Sequence, residues 1–370
     1  MKSITKMQIT IVSGLNLDAG FGGEIWITTV AKKLSINNKV KIITSTNGPR
    51  NTNFKTTLIN YGVEVTEIKY SHLFQSITVL FKSFKTSNVV YYSSFGLIPK
   101  TLVIVLSKLL QVPVINGHHA STFDKDKMLG GKVQKKLYSF LFTIIHNFVD
   151  SLYTSHHVEN HEDLNALRRI GIHKIFVIPF GVDLGYYRPE VKFDTFTILW
   201  VGRVDHNKGA DKLPSIIPDL LLEIKNINIL FAGDGPLRNI IEDLVKKYHN
   251  VTYLGFVSDE NKRFLMAKSH LFFSTSLTET SPQAGLQALA SGTPIIYFKI
   301  KGASEIIKNG VNGYLVSDSK EYITAVKTIY SLWISGKYQE ISSNSRRSVE
   351  NLDQTKMVES IESMIISTAR

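Results

Sequence analysis

The chain has 370 residues, of which 43% are hydrophobic and 20% are charged, and it contains no cysteine. This length predicts two domains, and the composition excludes a disordered chain. The absence of cysteine excludes disulfides, thiolate zinc sites and cysteine nucleophiles, and it fits a cytoplasmic protein.

Positive charge is concentrated in the first half of the sequence. Residues 1–190 contain 22 Lys and Arg against 12 Asp and Glu, whereas residues 191–370 contain 21 against 19. Two segments, Leu73–Lys85 and Lys132–Phe148, mix aromatic, aliphatic and lysine side chains as interfacial helices do. We therefore expect either a solvated basic face or contact with the anionic cytoplasmic face of a membrane, without a spanning segment and without a nucleic acid partner.

Short apolar runs alternate with helical segments, which predicts parallel sheets covered by helices on both faces. In the first half, strands are predicted at Gln8–Val12, Val40–Thr44, Val89–Tyr92, Val112–Ile115, Ser151–Tyr153 and Ile175–Ile178. Helices are predicted at Glu24–Leu34, His72–Phe84, Lys100–Leu110, Lys132–Phe148 and Val158–Ile170. Six strands with five crossovers make one doubly wound domain.

The segment after Ile178, PFGVDLGYYRPEVKFD, is rich in glycine, proline and charge, which predicts a linker. The alternation then restarts, with strands predicted at Thr197–Val201, Ile227–Phe231, Val251–Leu254, Leu271–Ser274, Pro294–Tyr297 and Gly313–Val316. A second doubly wound domain follows from this pattern. Ligands of such sheets bind beyond the carboxyl ends of the strands, so the binding residues should lie in the loops after them.

The first of these loops in the second half carries two cations. Gly202 is followed by Arg203, and Lys208 comes five residues later. Two positive charges between a strand and a helix suit an anionic ligand, although solvated surface cations give the same pattern.

Two later strands end in glycine. Gly233 and Gly235 either let a ligand approach the backbone closely or simply make a tight turn. After the strand at Val251–Leu254, the backbone of Phe256 and Val257 is expected at the end of the sheet, where a planar base can bond to the main chain.

The segment SLTETSPQAGLQALASG places Glu279 before a helix that is predicted to begin near Ala284 and Gly285. Unpaired N–H groups and the positive end of the helix dipole favour an anion there. We expect the helix start, through Leu286 and Gln287, to hold a pyrophosphate while Glu279 contacts sugar hydroxyls. A capped helix with a solvated glutamate is the alternative.

Together, these motifs resemble the retaining glycosyltransferases of the GT-B fold, especially glycosyltransferase family 4 (group 1). The segments IPFGVD and GASEIIKNGVNGYLV resemble signatures of that family, and the resemblance is strongest from Ile178 to Val316. It implies an α/β protein with two doubly wound Rossmann-like domains facing across a deep cleft. The acceptor-binding domain would comprise residues 1–182, the nucleotide-sugar-binding domain residues 183–353, and a helix at 354–370 would cross back to the first domain.

The resemblance also implies roles for residues of the second half. Arg203 and Lys208 match the pair that binds the donor pyrophosphate and stabilises the leaving group. Glu279 matches the first glutamate of a paired motif and contacts the donor sugar. The second glutamate is replaced here by Gln287, which accepts one hydrogen bond but lacks the charge.

In the first half, Gly22 and Gly23 resemble the family's glycine-rich loop, which approaches the donor phosphates. Ile25 stands where a dinucleotide fingerprint has its third glycine, which argues against a nicotinamide-dependent oxidoreductase. His119 matches the family's histidine that approaches sugar and acceptor, with His118 as the alternative.

The pair His156 and His157, with His161 nearby, suggests a zinc site, but no further ligand residue is near them in the sequence. They are predicted to be surface residues at a helix start, and no metal site is predicted.

The sequence therefore predicts a metal-independent, retaining hexosyltransferase that needs no cofactor. Its donor substrate is a nucleotide diphosphate-sugar and its acceptor is a glycan or a lipid-linked acceptor. One alternative is a sugar-nucleotide epimerase of similar fold, which releases sugar without an acceptor. Another is a catalytically lapsed nucleotide-sugar-binding protein, because Gln287 replaces a glutamate.

Overall fold

The computed structural model describes residues 6–14, 16–19, 22–48, 52–93, 97–119 and 144–370. The chain divides into two units that each contain one parallel sheet. The first unit runs to Pro179 and also includes Met357–Arg370, and the second unit comprises Phe180–Lys356.

Among its described residues, the first unit contains seven parallel strands. They are β1 Gln8–Ser13, β2 Lys39–Ser45, β3 Glu64–Ile68, β4 Val89–Ser93, β5 Val114–His118, β6 Ser155–Val158 and β7 Ile175–Val177. Their order in the sheet is β3-β2-β1-β4-β5-β6-β7. In the central strand, Ile11 pairs with Ile42 on one side and with Tyr91 on the other, and all three side chains are buried. The strand order reverses between β1 and β4, which is where doubly wound sheets bind ligands.

The helices of this unit lie between the strands. They are α1 Gly22–Leu34, α2 Phe54–Asn60, α3 Leu73–Lys85, α4 Leu97–Leu110, α5 in residues 144–151 and α6 His161–Arg169. The predicted helix Lys132–Phe148 lies largely outside the described residues, although 144–148 are helical.

Two elements were missed by the sequence prediction and one was misplaced. Strand β3 and helix α2 were not predicted, because EVTEI forms a half-exposed edge strand in which polar residues outnumber apolar ones. The predicted strand at Ser151–Tyr153 is wrong. That segment ends α5, and the strand begins at Ser155 instead.

The second unit contains six parallel strands, all close to their predicted positions. They are β8 Phe196–Val201, β9 Ile227–Ala232, β10 Val251–Tyr253, β11 Leu271–Ser274, β12 Ile295–Phe298 and β13 Gly313–Val316. Their order is β10-β9-β8-β11-β12-β13. Large side chains from different elements, Trp200, Phe231, Phe273 and Tyr322, fill the core beside the sheet. Because strands β8, β11 and β12 are buried along nearly their whole length, they read as apolar runs and are easy to recognise.

Helices flank this sheet and close the chain. They are α7 Ile217–Glu223, α8 Arg238–Lys247, α9 Asp259–Lys268, α10 Gln283–Ala290, α11 Lys301–Ile306, α12 Ser319–Ile334, α13 Tyr338–Arg347 and α14 Gln354–Ala369. The predicted linker packs on the second unit, where the Arg346 guanidinium donates to the carbonyl oxygens of Leu184 and Tyr187 at 2.9 and 2.7 Å.

Helix α14 packs within the first unit. Its Glu362 accepts a hydrogen bond from Asn38 at 2.9 Å, and its Thr368 hydroxyl lies 2.8 Å from that of Ser155. Met364 and Ile365 are buried. Within the described ranges, no helix is both long enough and apolar enough to cross a bilayer.

Candidate functional site

The loop after β8 holds Lys208 in a fixed place. The Lys208 carbonyl accepts a hydrogen bond from the Thr275 hydroxyl at 2.8 Å, and that hydroxyl is also 3.2 Å from the indole nitrogen of Trp200. Gly209 has φ +66°, and a Cβ there would lie 2.0 Å from the Thr275 carbonyl oxygen. Only glycine therefore allows this loop to pack against the end of β11.

The structure brings two predicted site residues, Lys208 and Glu279, into contact. The Lys208 ammonium donates to the Glu279 carboxylate at 2.9 Å, with the side chains 35% and 10% exposed. A lysine ammonium has three donors, so this pairing leaves capacity for a phosphate oxygen.

The second predicted cation lies on the same loop and is more exposed. The Arg203 guanidinium is 3.3 Å from the Asp205 carboxylate, and its side chain is 52% exposed. Asp205 also accepts a hydrogen bond from the backbone N–H of Lys208 at 3.0 Å, so one carboxylate orders both ends of the loop.

The glycine turn after β9 packs on this loop. A Cβ at Gly233 would lie 1.8 Å from the carbonyl oxygen of Gly202, and one at Gly235 would lie 2.4 Å from that of Val204. The tight-turn interpretation is sufficient for both glycines. Their expected contact with a ligand stays a prediction.

Helix α10 begins at Gln283, one residue before the predicted start, and its N-cap residue, Pro282, makes no side-chain capping bond. The N–H of Gln283 donates to the Ser281 carbonyl, and the next N–H groups of the first turn suit an anion. The preceding loop is fixed because the Glu279 carbonyl accepts a hydrogen bond from Gly302 at 2.9 Å. Leu286 is buried, so its side chain packs in the core, whereas Gln287 is partly exposed in the second turn.

After β10, the chain presents an exposed aromatic ring. Gly255 has φ +63° and its carbonyl accepts a hydrogen bond from Gly233 at 2.7 Å. Phe256 is 74% exposed, and Val257 beside it is partly exposed. An exposed ring beside main-chain groups suits a planar base.

In the first unit, Gly22 and Gly23 form the start of helix α1. A Cβ at Gly23 would meet nothing within 4 Å, so packing does not require glycine there. The open space beside this helix start is consistent with ligand approach.

The ring of His119 is enclosed by other side chains. It follows the end of β5, as predicted, but its side chain is only 4% exposed. Its Nδ1 lies 2.6 Å from a Glu159 carboxylate oxygen, and its Nε2 lies 2.9 Å from the Tyr91 hydroxyl. The indole of Trp26 packs on the ring with centroids 4.2 Å apart.

The prediction that His156 and His157 are surface residues is wrong. Both lie in strand β6 and are buried, while His161 is exposed at the first position of α6. Burial lowers the pKa of His156 and of His157 to about 3, so both rings are neutral at pH 7. Their polar sequence pattern concealed a strand whose side chains bond internally.

Three potential ligands, His118, Asp150 and His156, come within 4.8 Å of one another. However, the Lys100 ammonium forms an ion pair with Asp150, and the two histidine rings are 3.0 Å apart at His118 Nε2 and His156 Nδ1. Burial, followed by the charge of Lys100, holds the pKa of His118 well below its usual range. The group is therefore best described as a hydrogen-bonded network.

Sequence reasoning missed Trp26, Tyr91 and Glu159. Trp26 and Tyr91 read as ordinary core positions of a helix and a strand, and Glu159 reads as a surface carboxylate near a helix start. All three are buried around His119.

The second unit resembles a known protein family. Residues 188–348 match the family model described as glycosyl transferases group 1. The chain is 31% identical over 138 residues to a human component of phosphatidylinositol N-acetylglucosaminyltransferase, covering 36% of this chain and 28% of that protein. It is 24% identical over 215 residues to the alpha-monoglucosyldiacylglycerol synthase of Streptococcus pneumoniae, covering 53% of this chain and 48% of that protein. The matches thus span less than half the length of these two relatives.

Among solved structures, Anabaena HepE in complex with UDP aligns with a TM-score of 0.79 at 17% identity, covering 98% of this chain and 100% of that one. At this identity the likeness concerns the fold. The predicted GT-B class with two doubly wound domains is confirmed, as is the resemblance to the group 1 family.

Proposed function

We propose, from the match of residues 188–348 to the family model described as glycosyl transferases group 1, that the chain transfers a sugar from a nucleoside diphosphate donor to an acceptor hydroxyl. The observation that carries the proposal is the pairing of Lys208, after β8, with Glu279, in the loop that leads into α10, at 2.9 Å. A cation, a carboxylate and the N-terminus of a helix are the groups that a sugar diphosphate requires.

In this proposal the second unit binds the donor. Lys208, Arg203 and the first turn of α10 contact the diphosphate, and Glu279 accepts hydrogen bonds from sugar hydroxyls. Gln287 contacts the ribose through a neutral amide, and Phe256 stacks near the base. We propose a uridine donor for first tests, since the HepE structure contains UDP.

The proposed reaction retains the anomeric configuration. The bond between the anomeric carbon and the phosphate oxygen breaks, and its electron pair leaves with the diphosphate. The acceptor oxygen attacks from the same face and passes its proton to the departing phosphate oxygen. Arg203, Lys208 and the α10 amides stabilise the negative charge that develops, which is the role a divalent cation has in other transferases.

A lipid-linked acceptor is the acceptor class we propose for the first unit. The names of both relatives described above include a lipid, phosphatidylinositol in one and diacylglycerol in the other. Helices α3 and α4 of this chain expose Phe74, Phe81 and Leu109 beside Lys82 and Lys108. Exposed apolar side chains next to lysines suit the interface of an anionic membrane.

Thermal unfolding with a panel of nucleotide sugars tests the donor proposal. A donor present at 100 times its dissociation constant should stabilise the protein by about 2.7 kcal/mol. Lys208→Ala should lose this stabilisation, whereas Lys225→Ala, which removes an exposed lysine of the same unit, should keep it. Stabilisation that is equal in all three proteins would contradict the assigned site.

Product analysis separates the proposal from its alternatives. Incubation with donor alone should give little free sugar, and adding acceptor should give a glycoside. Rapid release of free or epimerised sugar without acceptor would favour an epimerase, and donor binding without any turnover would favour a lapsed enzyme.

A further inference from the structure

Four side chains form a continuous buried hydrogen-bonded chain in the first unit. Glu159 contacts His119 Nδ1 at 2.6 Å, His119 Nε2 contacts the Tyr91 hydroxyl at 2.9 Å, and that hydroxyl contacts His157 Nδ1 at 2.7 Å. The chain ends where His157 Nε2 lies 2.8 Å from the Ile178 carbonyl oxygen. Each contact needs one proton, so the protons along the chain can be counted.

The two hydrogen-bond partners of His157 determine which of its ring nitrogens carries a proton. A carbonyl oxygen only accepts hydrogen bonds, so His157 Nε2 carries a proton and donates it to Ile178. Burial, with the nearby charge of His119, lowers the pKa of His157 to about 3. The ring is therefore neutral, and its Nδ1 is an acceptor.

Tyr91 transmits this constraint to His119. Burial raises the pKa of the Tyr91 phenol well above its usual range, so the phenol keeps its single proton. That proton is donated to His157 Nδ1 at 2.7 Å. The other contact, at 2.9 Å, then requires His119 Nε2 to donate its own proton to the Tyr91 oxygen.

At the other side of its ring, His119 faces a carboxylate. The Glu159 side chain is 1% exposed, and where its carboxylate is ionised it accepts hydrogen bonds only, so that His119 Nδ1 must donate to it. Both ring nitrogens then carry protons and the ring is a cation. The Trp26 ring, 4.2 Å away between centroids, lies within the range at which an aromatic ring stabilises a cation.

We propose that Glu159 is a positioning residue that holds His119 as a doubly protonated ring, so that His119 supplies a fixed positive charge and does not act as a proton acceptor. Its catalytic consequence rests on the proposed glycosyl transfer, whereas the protonation pattern does not. The groups around His119 are Tyr91 from β4, His118 from β5, His157 and Glu159 from β6 and its following turn, and Trp26 from α1, which also carries the buried carboxyl of Glu24.

Nitrogen-15 NMR of the histidine rings tests the protonation pattern directly, with His119→Gln and His157→Gln used to assign the signals. We expect His119 to show two protonated ring nitrogens from pH 6 to pH 8, and His157 to show one, at Nε2. An unprotonated ring nitrogen in His119, or a doubly protonated His157, would overturn the proposal whether or not the chain transfers sugar.

The pH profile of turnover tests the function of Glu159. In Glu159→Gln the carboxylate is lost and burial disfavours the charged ring, so kcat at pH 8 should fall roughly 10-fold or more and should recover as the pH is lowered. The wild-type enzyme and Glu64→Gln, which changes an exposed carboxylate on β3, should lack this decline. Identical profiles in all three folded proteins would contradict the role of Glu159, and absence of turnover in the wild type would instead contradict the proposed function.

Discussion

Each unit contains a basic side chain in contact with a glutamate, and the two pairs differ chiefly in exposure. His119 and Glu159 are 2.6 Å apart with side chains 4% and 1% exposed, whereas Lys208 and Glu279 are 2.9 Å apart with side chains 35% and 10% exposed. The enclosed pair belongs to a network whose partners are all protein groups. The half-open pair can exchange part of its contact for a ligand, which supports the proposal that the second unit binds the donor.

Lowering the pH is the strongest test of this difference between the two units. In the folded protein the pKa values of His156 and His157 are about 3, below their ordinary value of about 6.5. Stability from these rings is therefore complete above pH 6.5 and is lost as the pH falls toward 3. Each ring should cost about 1.4 kcal/mol per pH unit below 6.5, or about 4 kcal/mol for both at pH 5.

Hydrogen exchange resolved by peptide should show the first unit losing protection between pH 7.5 and pH 5. Among the described residues of the second unit, the pKa of one histidine, His270, is lowered, to about 4. Protonation of this ring would also cost stability at acid pH. His157→Gln should reduce the pH dependence of the first unit, and His173→Gln, at an exposed position, should leave it unchanged. Equal loss of protection in both units would contradict this difference between them.

Removing the Lys208 ammonium should chiefly reduce turnover. Lys208→Ala removes positive charge beside the departing diphosphate and should lower kcat by roughly 100-fold or more, which corresponds to about 2.7 kcal/mol. Circular dichroism should show an unchanged fold. Full turnover by this variant, measured beside Lys225→Ala, would show that Lys208 has no part in the reaction.

Glycine substitutions separate loop strain from loop packing in the second unit. Gly209 and Gly336 both have positive φ, but only a Cβ at Gly209 meets backbone, 2.0 Å from the Thr275 carbonyl. Gly336→Ala should lower the free energy of unfolding by about 1 kcal/mol, and Gly209→Ala by about 2 kcal/mol more. Urea unfolding measures both, and equal losses would mean that the close packing beside Lys208 is absent.

The smallest expected effect concerns the outer face of the first unit. Phe74 is 89% exposed on α3, and Lys82 is exposed on the same helix. Lys82→Ala should weaken binding to anionic vesicles by about 1 kcal/mol at low salt, and Phe74→Ser should weaken it further. Cosedimentation measures this, with Lys225→Ala as the control. Absence of vesicle binding by the wild-type protein would remove the proposed membrane contact.

The sequence predicted the second unit better than the first for a physical reason. Most of its strands read as apolar runs, so all six were placed, and the cation loop and helix α10 followed from them. Polar residues conceal strands of the first unit. Glutamates lie in the edge strand β3, and β6 reads SHHV because its histidines bond to buried partners.

The sequence alone does not predict which side chains of the candidate site contact one another. Spacing indicated that Lys208 and Glu279 lie after strands, but the strand order that makes β8 and β11 neighbours was needed to bring the two side chains together. Likewise, nothing along the chain connects Tyr91 on β4 with Glu159 in the turn after β6, although both contact His119.

The packing of α14 within the first unit has a consequence for biosynthesis. Residues 180–356 are contiguous, so the second unit is complete in sequence once residue 356 has been synthesised. The first unit lacks these partners of Asn38 and Ser155 until α14 has been synthesised. We therefore expect the first unit to finish folding only after residues 357–370 join it, although most of its sequence is made first.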